Sequence, residues 1–130
     1  MRNGLIKIEL MRHILTVVIL GLVSCDSKVG VEFIVHNRST VTIDSVRITT
    51  SDKGSTIKLT DIKPGQEKRE FLNMREILKS DGDYHVEINT PGVTKINNIG
   101  YYTNGSPQDE NIDIHYFDDS VKCDYKLREY

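Results

Sequence analysis

Apolar and polar residues alternate along most of this chain, in short stretches separated by turn-forming residues. Val31, Phe33 and Val35 establish the pattern, and Ile112 and Ile114 repeat it towards the other end. Successive side chains of a β-strand point to opposite faces, so each stretch predicts a strand with one apolar face. About seven or eight such strands, spaced roughly ten residues apart, predict an all-β fold, an antiparallel β-sandwich over residues 31–130.

The turn residues set the limits of the predicted strands. Lys63-Pro64-Gly65 places proline before glycine, the order that a type II turn prefers. The apolar face of the second strand changes at Asp44-Ser45, where we expect a β-bulge or a strand switch. Asn73 is expected to cap one helical turn over residues 74–78. The strands are predicted at residues 31–36, 41–48, 56–62, 66–72 (an edge strand), 83–90, 93–99, 112–116 and 121–127.

Residues 14–23 form an apolar run that only Thr16 and Gly21 interrupt. The run is shorter than the about 20 residues that cross a membrane, and it matches the hydrophobic region of a secretory signal. Arg12 and His13 supply the positive charge expected before such a region, whereas an acid, Glu9, is unusual there. We therefore interpret the segment as a signal that starts at Met11 or Met1, with Met11 favoured.

The apolar run ends in the motif Leu22-Val23-Ser24-Cys25. This motif resembles the lipobox of small bacterial envelope lipoproteins, in which a branched apolar residue and two small or modest residues precede a cysteine. The resemblance implies that residues 1–24 are a signal peptide, that Cys25 carries the lipid (palmitate) and that residues 25–30 are a tether. It also implies a protein anchored by lipid to a membrane of the cell envelope, with the outer membrane favoured over the inner.

The predicted sandwich resembles the immunoglobulin-like or transthyretin-like domains of small envelope lipoproteins. The resemblance concerns architecture and covers residues 31–130. The chain has no tryptophan and two cysteines, so the Cys…Trp…Cys core of antibody domains is absent.

The charge of the chain argues against one class of partner. It contains 17 basic and 19 acidic residues, a formal net charge of −2, and the two signs are interspersed. Nucleic-acid binding needs a basic patch or stripe, so we expect no nucleic-acid partner.

Cys123 is the thiol that remains when Cys25 is assigned to the lipid, so it cannot form an internal disulfide. Val121, Cys123 and Tyr125 share one strand face, opposite Lys122 and Asp124. We therefore expect Cys123 to point into the core as a small apolar residue.

Catalytic and metal-binding motifs are not found in the sequence. His36, His85 and His115 lack the close ligand spacing of a zinc site, so we expect three solvent-facing strand histidines, with no metal and no cofactor. Asp118-Asp119 is interpreted as turn-forming. No nucleophile elbow and no glycine-rich phosphate loop is present, so we expect a protein that is not an enzyme.

The best candidate for binding is Tyr101-Tyr102, in a predicted loop with Asn104-Gly105. Tyrosine offers a rigid amphipathic surface, and loops of a sandwich commonly carry recognition. By parity with Ile99, Tyr101 is predicted to point inward and Tyr102 outward, the latter forming the binding surface with Asn104.

Two functions of different classes fit these features. The first is a lipid-anchored, non-catalytic interaction or assembly module with an envelope protein as its partner. The alternative is a small-ligand or glycan-binding lipoprotein that uses the Tyr101-Tyr102 loop. An exposed edge strand would favour the first, and an open apolar pocket beside the tyrosines would favour the second. An immunity-type inhibitor of a toxin is compatible with the same features.

Replacing the lipid-bearing residue tests the lipobox interpretation. Cys25→Ser is expected to move the protein from the membrane fraction to the soluble fraction, because the anchor is lost while the domain stays folded. Fractionation with a carbonate wash measures the distribution, with the wild type as control. A variant that still sediments with membranes would contradict the interpretation.

Overall fold

The computed structural model describes residues 28–130, so Cys25 and the expected signal peptide lie outside the described part of the chain. Nine strands form in the described part, and every predicted strand is among them, which confirms the all-β fold class. The strands are β1 (Gly30–Asn37), β2 (Ile43–Thr50), β3 (Thr56–Ile62), β4 (Glu67–Asn73), β5 (Gly82–Thr90), β6 (Val93–Thr103), β7 (Ser106–Pro107), β8 (Asp109–Tyr116) and β9 (Val121–Leu127).

The strands form two sheets of a sandwich. The first sheet has the order β4-β1-β8-β9, and the second has the order β3-β2-β5-β6-β7. All strand pairs of the described residues are antiparallel except β1 and β8, which run parallel with Val35 opposite Ile114. The chain therefore passes from β1 to β2 and β3 of the second sheet, returns to place β4 beside β1, forms β5 to β7 of the second sheet, and then places β8 on the other side of β1.

The core lies between the sheets and is built by the predicted alternation. In β1 every second residue from Val31 onwards is buried, while the residues between them are partly exposed. In β5 the same holds for Tyr84, Val86 and Ile88. The apolar core comprises Val31, Phe33, Val35, Ile43, Val46, Ile48, Leu59, Ile62, Leu72, Met74, Ile77, Tyr84, Val86, Ile88, Ile99, Tyr102, Ile112, Ile114 and Tyr116.

Aromatic rings join the two sheets at the centre of the core. Phe33 of the first sheet meets Tyr84 of the second edge to face, with ring centroids 5.1 Å apart. Tyr102 lies beside Tyr84 at 5.5 Å, and the Tyr84 hydroxyl donates to the sulfur of Met74 over 3.4 Å. Burial raises the pKa of Tyr84 because the phenolate would lose its hydration.

The turn predicted at Lys63-Pro64-Gly65 is confirmed. The amide of Gln66 donates to the carbonyl of Lys63 over 2.9 Å, and Gly65 has φ of +80°. A type II turn needs a positive φ at this position, which glycine adopts without a steric penalty.

The helical turn predicted over residues 74–78 is wrong, because the structure has a non-helical turn there. Asn73 Oδ1 accepts the amide of Arg75 over 2.9 Å, a local side-chain turn that does not start a helix. Met74 and Ile77 are both buried at the end of the sandwich, and the Met74 amide donates to the carbonyl of Val29. Burial of these two side chains thus sets the path of the segment.

The bulge predicted at Asp44-Ser45 is also wrong. The register of β2 with β3 runs from Ile43 to Thr49 without a shift. The face that β2 buries nevertheless changes. Ile43 and Val46 are three residues apart and would lie on opposite faces of a regular strand, yet both are buried, and so are their partners Ile62 and Leu59. Asp61, which precedes Ile62 in β3, has a left-handed φ of +53°. This local twist of the backbone allows the paired strands to change the face that they bury without an extra residue.

Residues 28–130 contain no helix that is long and apolar enough to cross a membrane.

Candidate functional site: the open side of the sandwich

The tyrosine pair lies in a strand and not in the predicted loop. β6 continues past Ile99 to Thr103, and the loop after it is only the two-residue turn Asn104-Gly105. Both turn residues have positive φ, +51° and +71°. Asn-Gly is the strongest short hairpin signal, so the sequence contained the information to place this turn.

The orientations predicted for the two tyrosines are reversed in the structure. Tyr102 is 0% exposed, whereas Tyr101 is 50% exposed. The register with β5 passes from Tyr84 opposite Ile99 to Gly82 opposite Tyr102, so β6 carries one extra residue. This β-bulge, formed at Gly100 with φ of +63°, moves the following residue to the other face. A Cβ at Gly100 would lie only 2.9 Å from the Tyr84 ring, which explains the glycine.

Asp81 holds Tyr101 and the Asn104 turn in place. Its carboxylate accepts the Tyr101 hydroxyl over 3.0 Å and the Asn104 amide over 2.9 Å. The hydrogen bond to Asp81 raises the pKa of Tyr101 because it stabilises the neutral phenol. Of the predicted binding residues, Tyr101 and Asn104 are therefore exposed but held by hydrogen bonds, while Tyr102 belongs to the core.

The neighbouring part of β6 is an unpaired sheet edge. Residues 93–99 pair with β5 on one side, and β7 reaches only Tyr102 and Thr103 on the other. Within residues 28–130 no strand covers the rest of this edge. Two of its side chains are apolar and exposed, Val93 at 49% and Ile96 at 58%. An edge of this kind offers a row of backbone donors and acceptors to a second chain.

β9 forms the facing edge of the first sheet. Its residues Tyr125 and Leu127 are exposed, although they lie on the strand face that carries Cys123. Lys95 of β6 reaches the turn before β9 and donates to the carbonyls of Phe117 at 3.3 Å and Asp118 at 3.4 Å. We refer to the edge of β6 at residues 93–99 together with β9 as the open side.

The opposite side of the sandwich, between β3 and β4, is closed by side chains. Lys68 of β4 donates to the Thr60 carbonyl of β3 over 2.7 Å, and Ser55 donates to the Asn73 carbonyl over 2.6 Å. The chain also passes directly from β3 to β4 through the turn at Gly65. These contacts tie β3 to β4, whereas no described strand pairs with the free edge of residues 93–99 on the open side.

Cys123 points towards the core, as predicted, but it is only partly buried at the edge of the sheet. It lies opposite Ile114 of β8. Burial raises the pKa of the Cys123 thiol, so the reactive thiolate is disfavoured.

The prediction of three solvent-facing histidines holds for His85, which is exposed and lies 3.0 Å from Asn98 Oδ1. His36 and His115 also lie on the outer face of their sheet, as predicted, but their side chains are only 17% and 16% exposed. Their rings stack with centroids 4.5 Å apart. The parallel pairing of β1 and β8 brings them together, and a single sequence does not reveal that pairing. The spacing Asp113-x-His115, which puts two ligand types on one strand face, is the local signal for this cluster.

A cleft of about 670 Å³, lined by polar and charged residues, lies on the outer face of the second sheet. Arg47, Lys53, His85 and Glu87 contribute to its walls, and neither Tyr101 nor Tyr102 does. It is therefore not the apolar pocket beside the tyrosines that would favour small-ligand binding.

Comparisons with known proteins indicate the fold and nothing more specific. No protein-family model matches the chain, and a search of curated proteins finds no match. A solved structure described as "NMR structure of the protein from Eubacterium rectale" is similar, with a TM-score of 0.53 and 11% identity. The similarity covers 82% of this chain and 97% of that one. At this identity it supports the architecture alone.

The opposite environments of the two tyrosines predict opposite effects on stability. Tyr102→Ala is expected to lower the free energy of unfolding by about 3–4 kcal/mol, because it removes a large buried ring. Tyr102→Phe should lose less, since it removes only the hydrogen bond to Ser51. Tyr101→Ala, the matched control, should melt close to the wild type. Chemical denaturation measures all three, and equal effects at the two positions would contradict the reversed orientation.

Proposed function

We propose that this protein is a lipid-anchored, non-catalytic interaction module of the bacterial cell envelope, which binds an envelope protein through the open side. The observation that carries the proposal is the unpaired edge of β6 at residues 93–99. The anchor is the lipid on Cys25.

The position of the domain relative to Cys25 supports the anchoring part of the proposal. The first strand begins at Gly30, shortly after the lipobox-like motif. A short tether keeps the sandwich close to the membrane surface. Each buried CH₂ group of a lipid contributes about 0.8 kcal/mol, and more than one acyl chain is needed for stable attachment.

The open side supports the binding part of the proposal. Residues 93–99 present roughly 23 Å of extended backbone to an added strand. Strand addition obtains its affinity from main-chain hydrogen bonds and its specificity from neighbouring side chains. Ile96 and Val93 supply exposed apolar surface there, and Tyr125 and Leu127 supply it on the facing edge. Long exposed edges are usually blocked or covered in soluble proteins, which favours an occupant.

The small-ligand or glycan-binding alternative has less support. It relied on a recognition loop that carries Tyr101-Tyr102, but these residues lie in β6 and Tyr102 is buried. Cys123 is the cysteine of the described residues that could act as a nucleophile. Burial raises the pKa of its thiol and so disfavours the reactive thiolate, which supports the non-catalytic part of the proposal.

Site-specific photo-crosslinking in intact cells tests the binding surface. A benzoylphenylalanine in place of Ile96 is expected to give a discrete adduct with an envelope protein, because the side chain is exposed beside the unpaired edge. The adduct is detected on a denaturing gel and identified by mass spectrometry.

The matched control carries the same probe in place of Lys58, an exposed residue of β3 on the closed side of the same sheet. The proposal predicts no adduct there. Adducts of equal yield at both positions, or none at Ile96 in a protein that is expressed and membrane-bound, would contradict binding through the open side.

A further inference from the structure

Histidines and carboxylates from neighbouring strands converge on the outer face of the first sheet. His36 lies in β1, Asp113 and His115 lie in β8, Glu67 lies in β4 and Asp124 lies in β9. The register explains the grouping: His36 is opposite both Glu67 and His115, and Asp113 is opposite Asp124. Side chains two residues apart on a strand share a face, so Asp113 and His115 point to the same side.

The central groups are close enough to share one ion. His36, Asp113 and His115 each offer a ligand atom, and these atoms lie within 4.8 Å of one another. The centre of a triangle with such sides is about 2.8 Å from each corner, compared with about 2.0–2.1 Å for a Zn–N bond. Each ligand atom must therefore move inward by about 0.7 Å. Rotation of the imidazole rings about their side-chain bonds is sufficient for a movement of this size.

His36 is oriented in the manner of a metal-ligating histidine. Its Nδ1 lies 2.9 Å from Glu67 Oε2, and its Nε2 lies 2.6 Å from Asp113 Oδ1. Metal-binding histidines commonly donate one ring N–H to a carboxylate, which fixes the ring and makes the other nitrogen a better ligand. Glu67 can serve as that carboxylate and leave Nε2 for the ion beside Asp113.

His115 lies parallel to His36, with 12° between the ring planes. Arg38 Nε donates to His115 Nδ1 over 3.2 Å, so the lone pair is on Nδ1 and the proton is on Nε2, 3.0 Å from Asp124 Oδ2. A metal ion at Nε2 takes the place of this proton, the neutral imidazole then carries its proton on Nδ1, and the Arg38 hydrogen bond to Nδ1 is given up. Asp124 is then placed to complete the coordination.

The cluster is partly shielded yet reachable from solvent. The side chains of His36 and Asp113 are 17% and 25% exposed. A cleft of about 380 Å³, lined in part by His36, Arg38 and Glu67, opens next to it. Partial shielding strengthens the electrostatic attraction of the carboxylates for a cation, and the cleft gives the ion a path of entry.

We infer that His36, His115 and Asp113 bind a divalent transition-metal ion of the zinc type, with Asp124 as a further ligand and Glu67 orienting His36. Imidazole nitrogen combined with carboxylate oxygen suits Zn²⁺ and Co²⁺ better than Ca²⁺ or Mg²⁺, which prefer oxygen ligands alone. The site joins β1 to β8 and β9, so the bound ion raises the stability of the first sheet. This site includes Asp124 of β9, but it does not depend on binding at the β6 edge or on the lipid anchor.

Cobalt titration of the full chain, purified in detergent without a histidine tag, tests the site. Co²⁺ is expected to bind with one-to-one stoichiometry, to develop visible absorption bands of nitrogen and oxygen ligation, and to be displaced by Zn²⁺. His36→Gln and His115→Gln should weaken binding by more than about tenfold. The control His85→Gln removes an exposed histidine of the second sheet and should bind as the wild type does.

A second measurement on the wild type does not depend on the folding of any variant. Zn²⁺ is expected to shift the NMR resonances of the His36 and His115 rings, while those of His85 stay in place. The inference is overturned if Co²⁺ does not bind, if both glutamine variants bind as the wild type does, or if the shifted resonances belong to His85. The cluster would then be a set of histidine–carboxylate ion pairs.

Discussion

The parallel pairing of β1 with β8 is the contact on which the rest of the structure depends. It joins the first strand of the domain to one that begins at Asp109, and it places both at the centre of the first sheet. Phe33 and Val35 of β1 thereby lie beside Ile112 and Ile114 of β8, and all four are fully buried. Because these strands are far apart in sequence, their pairing carries a large loop-closure entropy, and contacts of this kind slow folding.

The same pairing decides where the polar groups of the first sheet meet. The inward residues of β1 and β8 build the core, so the residues between them must share the outer face. His36 and His115 therefore stack, and Asp113 joins them. The proposed metal site is a consequence of core packing on the other face of the same two strands.

The open side follows from the length of β7. A strand of two residues covers only the end of β6, and the remaining edge pairs with β5 alone among the described strands. The bulge at Gly100 lies at the boundary between the covered and uncovered parts of β6. One end of the strand therefore supplies Tyr102 to the core, while the other leaves Ile96 exposed.

Local patterns predicted the strands well and the neighbours of the strands poorly. The limits of β3, Thr56–Ile62, were correct at both ends because turn residues flank a clear alternation. The alternation gave the wrong orientation for Tyr101 and Tyr102, because one extra residue at Gly100 moves the residues after it to the opposite face of the strand. A single bulge of this kind leaves little trace in the sequence pattern. The contact between His36 and His115 depends on strand order, which alternation does not contain.

Interstrand nuclear Overhauser effects in the folded domain test the central pairing most directly. We expect backbone contacts of the parallel type between Val35 and Ile114, together with contacts between the rings of His36 and His115. Antiparallel contacts between β1 and β8, or a first sheet in which β1 has a different neighbour, would contradict this expectation.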